Sequence, residues 1–257
     1  MPYIELSETC GESTYRGRFL EYHVRRTRPR RWNLEIRVNV VYRWAFEYAG
    51  KWDEGRKAAF RAALAFHARR TWSGQFVLRN GDPDDGGSVG VDVSVEVVEK
   101  WHRANDTWQV IVYPERAGSR VPDRPDGFDE PDEPIRCAPR WTGWPDDLPR
   151  PVRPEDRLHR AGVCFLYERS VRIASVRQDD PRVQRASDHE LGHMLGMAHP
   201  GGICSDRDEC YGRDATRDRI MGMGMTVTRA DYAFATGIMH RYSNASPGQR
   251  SWWAASR

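Results

Sequence analysis

The eleven residues His189-Glu190-Leu191-Gly192-His193-Met194-Leu195-Gly196-Met197-Ala198-His199 constrain this chain more than any other stretch. Their pattern is H-E-x-x-H-x-x-G-x-x-H. Four residues apart, His189 and His193 fall on one face of a helix with about 3.6 residues per turn, so their imidazoles can meet one cation from the same side. Continuing the helix would carry His199 to another face, so the helix has to stop before it. Gly196 supplies the stop, because only glycine enters the left-handed region without steric cost. The reversed chain then brings His199 to a third ligand position. Three protein ligands with one open position is the catalytic arrangement of zinc, whereas structural sites close all four. Glu190 lies beside the ion without aiming at it, where a carboxylate can take a proton from activated water.

At average composition such a match arises by chance in roughly one chain in ten thousand or fewer. The flanking sequence suits a helix. Ser187 or Asp188 can cap its start, and Leu191, Met194 and Leu195 form an apolar stripe that anchors it in a core.

Residues 1–32 read as a polar, basic N-terminal segment ending in the arginine-rich run 25–31, a solvated stretch or a basic contact patch. A single domain is expected over 33–242. Its first strand carries Leu34, Ile36, Val38 and Val40 in alternation, and a helix follows over 53–72. His67 lies on the apolar face of that helix and is expected at the core edge, not as a ligand. Further strands are expected at Phe76-Val77-Leu78, through the alternating valines 89–97, at Trp108–Val112, at Val163–Tyr167 and at Val171–Val176. The acidic, glycine-rich residues 80–87 lack the glycine and glutamate positions of a calcium loop and read as a hairpin turn. Residues 114–160, rich in proline and aspartate, read as an insertion, and such long loops are functional or mobile. Thr228 can cap a last helix through Tyr232, Phe234, Ile238 and Met239, and 243–257 read as a C-terminal tail. The element order is that of an α+β fold.

The net charge of +3 in 257 residues supports no nucleic-acid footprint. No run of 18 or more apolar residues is present, so no transmembrane segment is expected. The acidic start, Met1 to Glu8, lacks an apolar core segment; the expectation is synthesis in the cytoplasm without a secretory signal, with any export by a dedicated apparatus. There are five cysteines: Cys10, Cys137, Cys164, Cys204 and Cys210. A Cys204–Cys210 disulfide would brace the loop after His199 in an oxidising compartment; two thiols or a second metal site are the alternatives. Cys164, in an apolar alternating run, is expected to be a buried small side chain.

With the methionine-rich run Ile220-Met221-Gly222-Met223, the eleven residues resemble the metzincin clan of zinc metallopeptidases. The resemblance is specific over 187–225 and architectural elsewhere. It implies a mixed twisted sheet packed on helices, a zinc helix, a Met-turn and a C-terminal helix. Met221 matches the methionine that floors the metal, with Met223 and Met225 as alternatives in the same run. His199-Pro200-Gly201 is similar to the serralysin branch, but the tyrosine expected two residues past the Met-turn methionine is Met223 here, and the glycine-rich calcium repeats are absent. No tyrosine ligand is therefore carried over, and Tyr211, Tyr232 and Tyr242 have no positional warrant for that role. The polar build also looks like metallopeptidase domains of bacterial effectors and contractile injection systems.

The resemblance implies a zinc-dependent endopeptidase. His189, His193 and His199 would hold Zn2+ and Glu190 would serve as general base, with a protein or peptide as substrate. The substrate would pair along a sheet edge, for which 107–113 and 163–167 are the candidates. A zinc hydrolase acting on a non-peptide amide, and a zinc-stabilised binding module without catalysis, are the alternatives.

Overall fold

The computed structural model describes residues 12–16, 20–45, 52–80, 89–102, 107–114, 162–175, 182–197, 199–200, 216–242 and 252–256. α-Helices and β-strands are mixed along the chain. In order they are β1 (Glu12–Arg16), β2 (Leu20–Arg28), β3 (Arg31–Trp44), α1 (Glu54–Trp72), β4 (Val77–Asn80), β5 (Val89–Glu99), β6 (Trp108–Tyr113) and β7 (Val163–Tyr167). There follow β8 (Ile173–Ser175), β9 (Val183–Arg185), α2 (Ala186–Met194), α3 (Ala233–Tyr242) and β10 (Trp252–Ala255), with 3-10 turns at Glu168–Val171 and Arg229–Tyr232.

The long strand β3 organises the main sheet. It pairs antiparallel with β2 and parallel with both β5 and β6, and β6 pairs parallel with β7. The Val40 carbonyl accepts from Lys100 N–H just past β5, whereas Ala45 N–H donates to the Val112 carbonyl of β6. Successive residues of a strand point their backbone groups to opposite neighbours, so β6 lies on the side of β3 away from β5, taking over where β2 ends. Beyond β5 come β4 and β10, both antiparallel.

Alternation decides which face is buried. Leu34, Ile36, Val38 and Val40 of β3 are fully buried, with Val91, Val93 and Val95 of β5 beside them. The intervening Arg31, Asn33 and Glu35, with Asp92 and Ser94, make the opposite, polar face, where Arg31 forms a two-pronged salt bridge to Asp92 at 2.8 Å. Onto the apolar face packs α1, capped by the Asp53 carboxylate accepting from Arg56 N–H at 2.7 Å. Its buried stripe of Phe60, Leu64, Ala68 and Trp72 joins the core. Half-buried His67 has its basicity lowered by burial and by nearby Arg185, and it takes no part in the histidine cluster described below.

Two segments expected outside the domain belong to its sheet. Within 1–32, β1 and β2 form an antiparallel pair, and β2 buries Leu20, Tyr22 and Val24 against the core. Within 243–257, β10 pairs with β4 and buries Trp252. Arginines mask the alternation of the first, and the second is only four residues long. The strand expected over Val171–Val176 is shorter, with Val171 still in a 3-10 turn. The turn at 81–87, the insertion (residues 115–160) and the Cys204–Cys210 loop lie outside the described residues. Among the described residues no helix is long and apolar enough to cross a membrane.

Candidate metal centre

Helix α2 carries the first two histidines, and its two ends are built differently. Neither Ser187 nor Asp188 caps the start, because Arg185 occupies the N-cap and both residues lie within the first turn. Asp188 instead turns into the protein. Fully buried, its Oδ2 accepts from Thr71 Oγ1 at 2.6 Å and from Arg185 Nη1 at 2.7 Å, while Trp72 Nε1 donates to its backbone carbonyl at 3.0 Å. The start of α2 is thereby tied to the end of α1. At the other end Gly196, at φ 101°, closes a Schellman turn. Gly196 N–H donates to the His193 carbonyl and Met197 N–H to the Gly192 carbonyl, each at 2.9 Å.

Past that turn His199 returns towards the helix. The three Nε2 atoms form a near-equilateral triangle: 3.1 Å between His189 and His193, and 3.0 Å from each to His199. Among the described residues this is the one group of three or more metal-ligating side chains whose donor atoms converge. His189 and His193 are buried and His199 is half-buried.

The proton positions follow from the partners. His189 Nδ1 is 2.8 Å from the Ile220 carbonyl, and His193 Nδ1 is 2.8 Å from the Met197 carbonyl. A carbonyl only accepts, so both Nδ1 atoms carry hydrogen and both Nε2 atoms present lone pairs. Two lone pairs facing each other at 3.1 Å repel, and a shared cation removes that conflict. Tetrahedral zinc with Zn–N of about 2.0–2.1 Å calls for N–N separations of about 3.3 Å, a few tenths wider than the triangle. The donor set fits zinc, which imidazole nitrogen suits as a borderline-soft ligand, and the carbonyl partners are the usual second layer that orients such ligands. Glu190 follows His189 on the helix, is half-buried, and is not one of the converging group.

Beneath the helix lies the turn 219–225. Met221 is fully buried, Met223 nearly so and Met225 half-buried. Met221 is the one that reaches the helix: a carbon added to Gly192 would lie 2.2 Å from its Sδ. Gly222 and Gly224 run so close to the carbonyls of Thr216 to Asp218 that a side chain on either would overlap backbone. Tyr232 belongs elsewhere, donating from its hydroxyl to the Trp72 carbonyl at 2.7 Å and accepting from Gln75 N–H at 3.1 Å.

One residue of this site escapes reading by motif. Gln184, on β9, is buried, and its Nε2 reaches the carbonyls of Ile220, Gly222 and Gly224 at 2.9, 3.0 and 3.1 Å. A lone glutamine five residues ahead of His189 carries no spacing signal. No family model, curated protein or solved structure matches this chain.

Proposed function

We propose that the chain is a zinc-dependent endopeptidase of the metzincin type. One observation carries the reading: three imidazole Nε2 atoms, two of them fixed as lone-pair donors by backbone carbonyls, converge within 3.1 Å beside Glu190. Held there, zinc would polarise a scissile carbonyl and bring the pKa of water down to about 7. Glu190, half-buried on α2, takes a proton from the attacking water and returns it to the leaving amine. The order of strand, helix, strands, histidine helix, methionine turn and final helix also supports the metzincin comparison. Of the two candidate substrate edges, β6 is internal, flanked by β3 and β7, while β7 is the outermost strand on that side among the described residues. Extended substrate backbone pairs there.

The test is zinc content and cleavage of unstructured protein by wild type and Glu190→Ala. Chelator-sensitive cleavage that disappears in the variant while zinc stays bound supports the reading. Zinc bound equally by two proteins that cleave nothing would leave a metal-binding module instead.

A further inference from the structure

We propose that Gln184 is a positioning residue of the metal centre, acting through the Met-turn carbonyls to hold His189 in its ligand-competent tautomer. This rests on the three histidines binding zinc.

The argument is a count of hydrogens. The Gln184 amide nitrogen has two, and four acceptors or rivals lie within reach: the carbonyls of Ile220, Gly222 and Gly224 at 2.9–3.1 Å and His189 Nδ1 at 3.3 Å. Were a Gln184 hydrogen spent on Nδ1, that nitrogen would be bare and His189 would carry its proton on Nε2, facing the other ligands and unable to bind metal. The three carbonyls are nearer and together absorb both amide hydrogens. Ile220, whose carbonyl is left to accept from His189 Nδ1 at 2.8 Å, thus sets the tautomer.

The same contacts shape the turn. Three carbonyls drawn to one nitrogen curl residues 220–224 around it, which directs the intervening Met221 into the core. Flanking residues extend the clasp: Arg182, just ahead of β9, donates from Nε to Asp218 Oδ1 at 2.7 Å, and Arg185 N–H, at the end of β9, contacts Met225 Sδ at 3.2 Å. Remove the amide donors and the buried carbonyls of Gly222 and Gly224 lose the hydrogens of Gln184, while that of Ile220 keeps only His189 Nδ1–H. They separate, Ile220 moves with them, and His189 loses the acceptor that orients it.

Two variants of nearly the same shape isolate the donor. Gln184→Met removes all polarity, and Gln184→Glu replaces the donor by an acceptor. Zinc dissociation constants by chelator competition, with folding followed by circular dichroism, should show both about 10–100-fold weaker than wild type, the usual scale for partners behind a metal ligand. The absorption spectrum of the cobalt-substituted proteins should change with them. Should the variants not fold, the zinc-free wild type remains decisive: nitrogen-15 NMR should find His189 as the Nδ1–H tautomer. An Nε2–H tautomer there, or zinc affinity and cobalt spectrum unchanged in both variants while wild type binds zinc, overturns the role of Gln184 alone. A wild type that takes up no zinc overturns the metal centre itself, and this role with it.

Discussion

A side-chain carbon on Gly192 would sit 2.2 Å from Sδ of Met221, well inside contact distance. Met221 therefore packs this closely on helix α2 because Gly192, one of the three residues between the two helical histidines, has no side chain. The same carbon would meet the Trp72 ring at 2.8 Å, so neither side has room to yield.

Alanine is the better helix former by about 1 kcal/mol, yet Gly192→Ala should destabilise the protein by about 1–3 kcal/mol through overpacking. Urea unfolding measures this. Combining it with Met221→Ala should cost less than the sum of the two single changes, since they share one space. Strict additivity would show that Gly192 and Met221 are not packed against each other.

Gly196 is held at φ 101°, a conformation that strains any residue with a Cβ. Gly196→Ala should lose about 1–3 kcal/mol. Because the turn also delivers His199, zinc affinity should fall with stability. A variant that lost stability but kept wild-type zinc affinity would show that His199 finds its place without the turn.

Asp231 is fully buried, pairs with Arg219 at 2.5 Å, and accepts from both N–H and Oγ1 of Thr228 at 2.7 Å. It fastens the start of the methionine turn to the entry of α3. Asp231→Ala strands a largely buried guanidinium and should cost about 3–5 kcal/mol, read as a lower denaturation midpoint. Asp231→Asn, which keeps an acceptor, should cost less.

Tyr232→Phe leaves a buried carbonyl at Trp72 and an amide at Gln75 without their partner and should cost about 1–3 kcal/mol. Zinc affinity and any cleavage per folded molecule should not change. A selective loss of turnover would reassign this tyrosine to the chemistry.

Zinc should raise the unfolding midpoint, and a chelator should lower it, because the three nitrogens converge only in the folded chain. The gain should shrink at acid pH, where protons compete with the metal for the imidazole nitrogens. Thermal scans with and without chelator at pH 7.5 and 5.5 check both points. A midpoint indifferent to zinc at pH 7.5 would remove the support for a metal site.

Local pattern carried a large share of this architecture. Alternation at Leu34 to Val40 and at Val89 to Val97 marks strands, because side chains of period two must choose a face. The i, i+4 histidines and Gly196 delimit α2, since helix pitch and the left-handed cost of a Cβ act within a few residues. The segments at 20–28 and 252–255 were not legible as parts of the sheet. The first is the hairpin neighbour of β3, with Tyr22 opposite Ile36, and its arginines hide the alternation; the second is held by a partner far along the chain, Leu78 opposite Ala254.

The sequence by itself determined which three histidines converge, their helix and the end of that helix, all consequences of spacing over eleven residues. Tertiary structure decided what those histidines lean on and the ground beneath them. Ile220 and Met197 supply the carbonyls, Gln184 gathers the turn, and Asp188 faces Thr71 instead of capping its helix. The reason is physical: these are hydrogen bonds between buried groups, most of them 31 to 117 residues apart. Burial forces each polar atom to find a partner, but only the folded chain determines which one lies within reach.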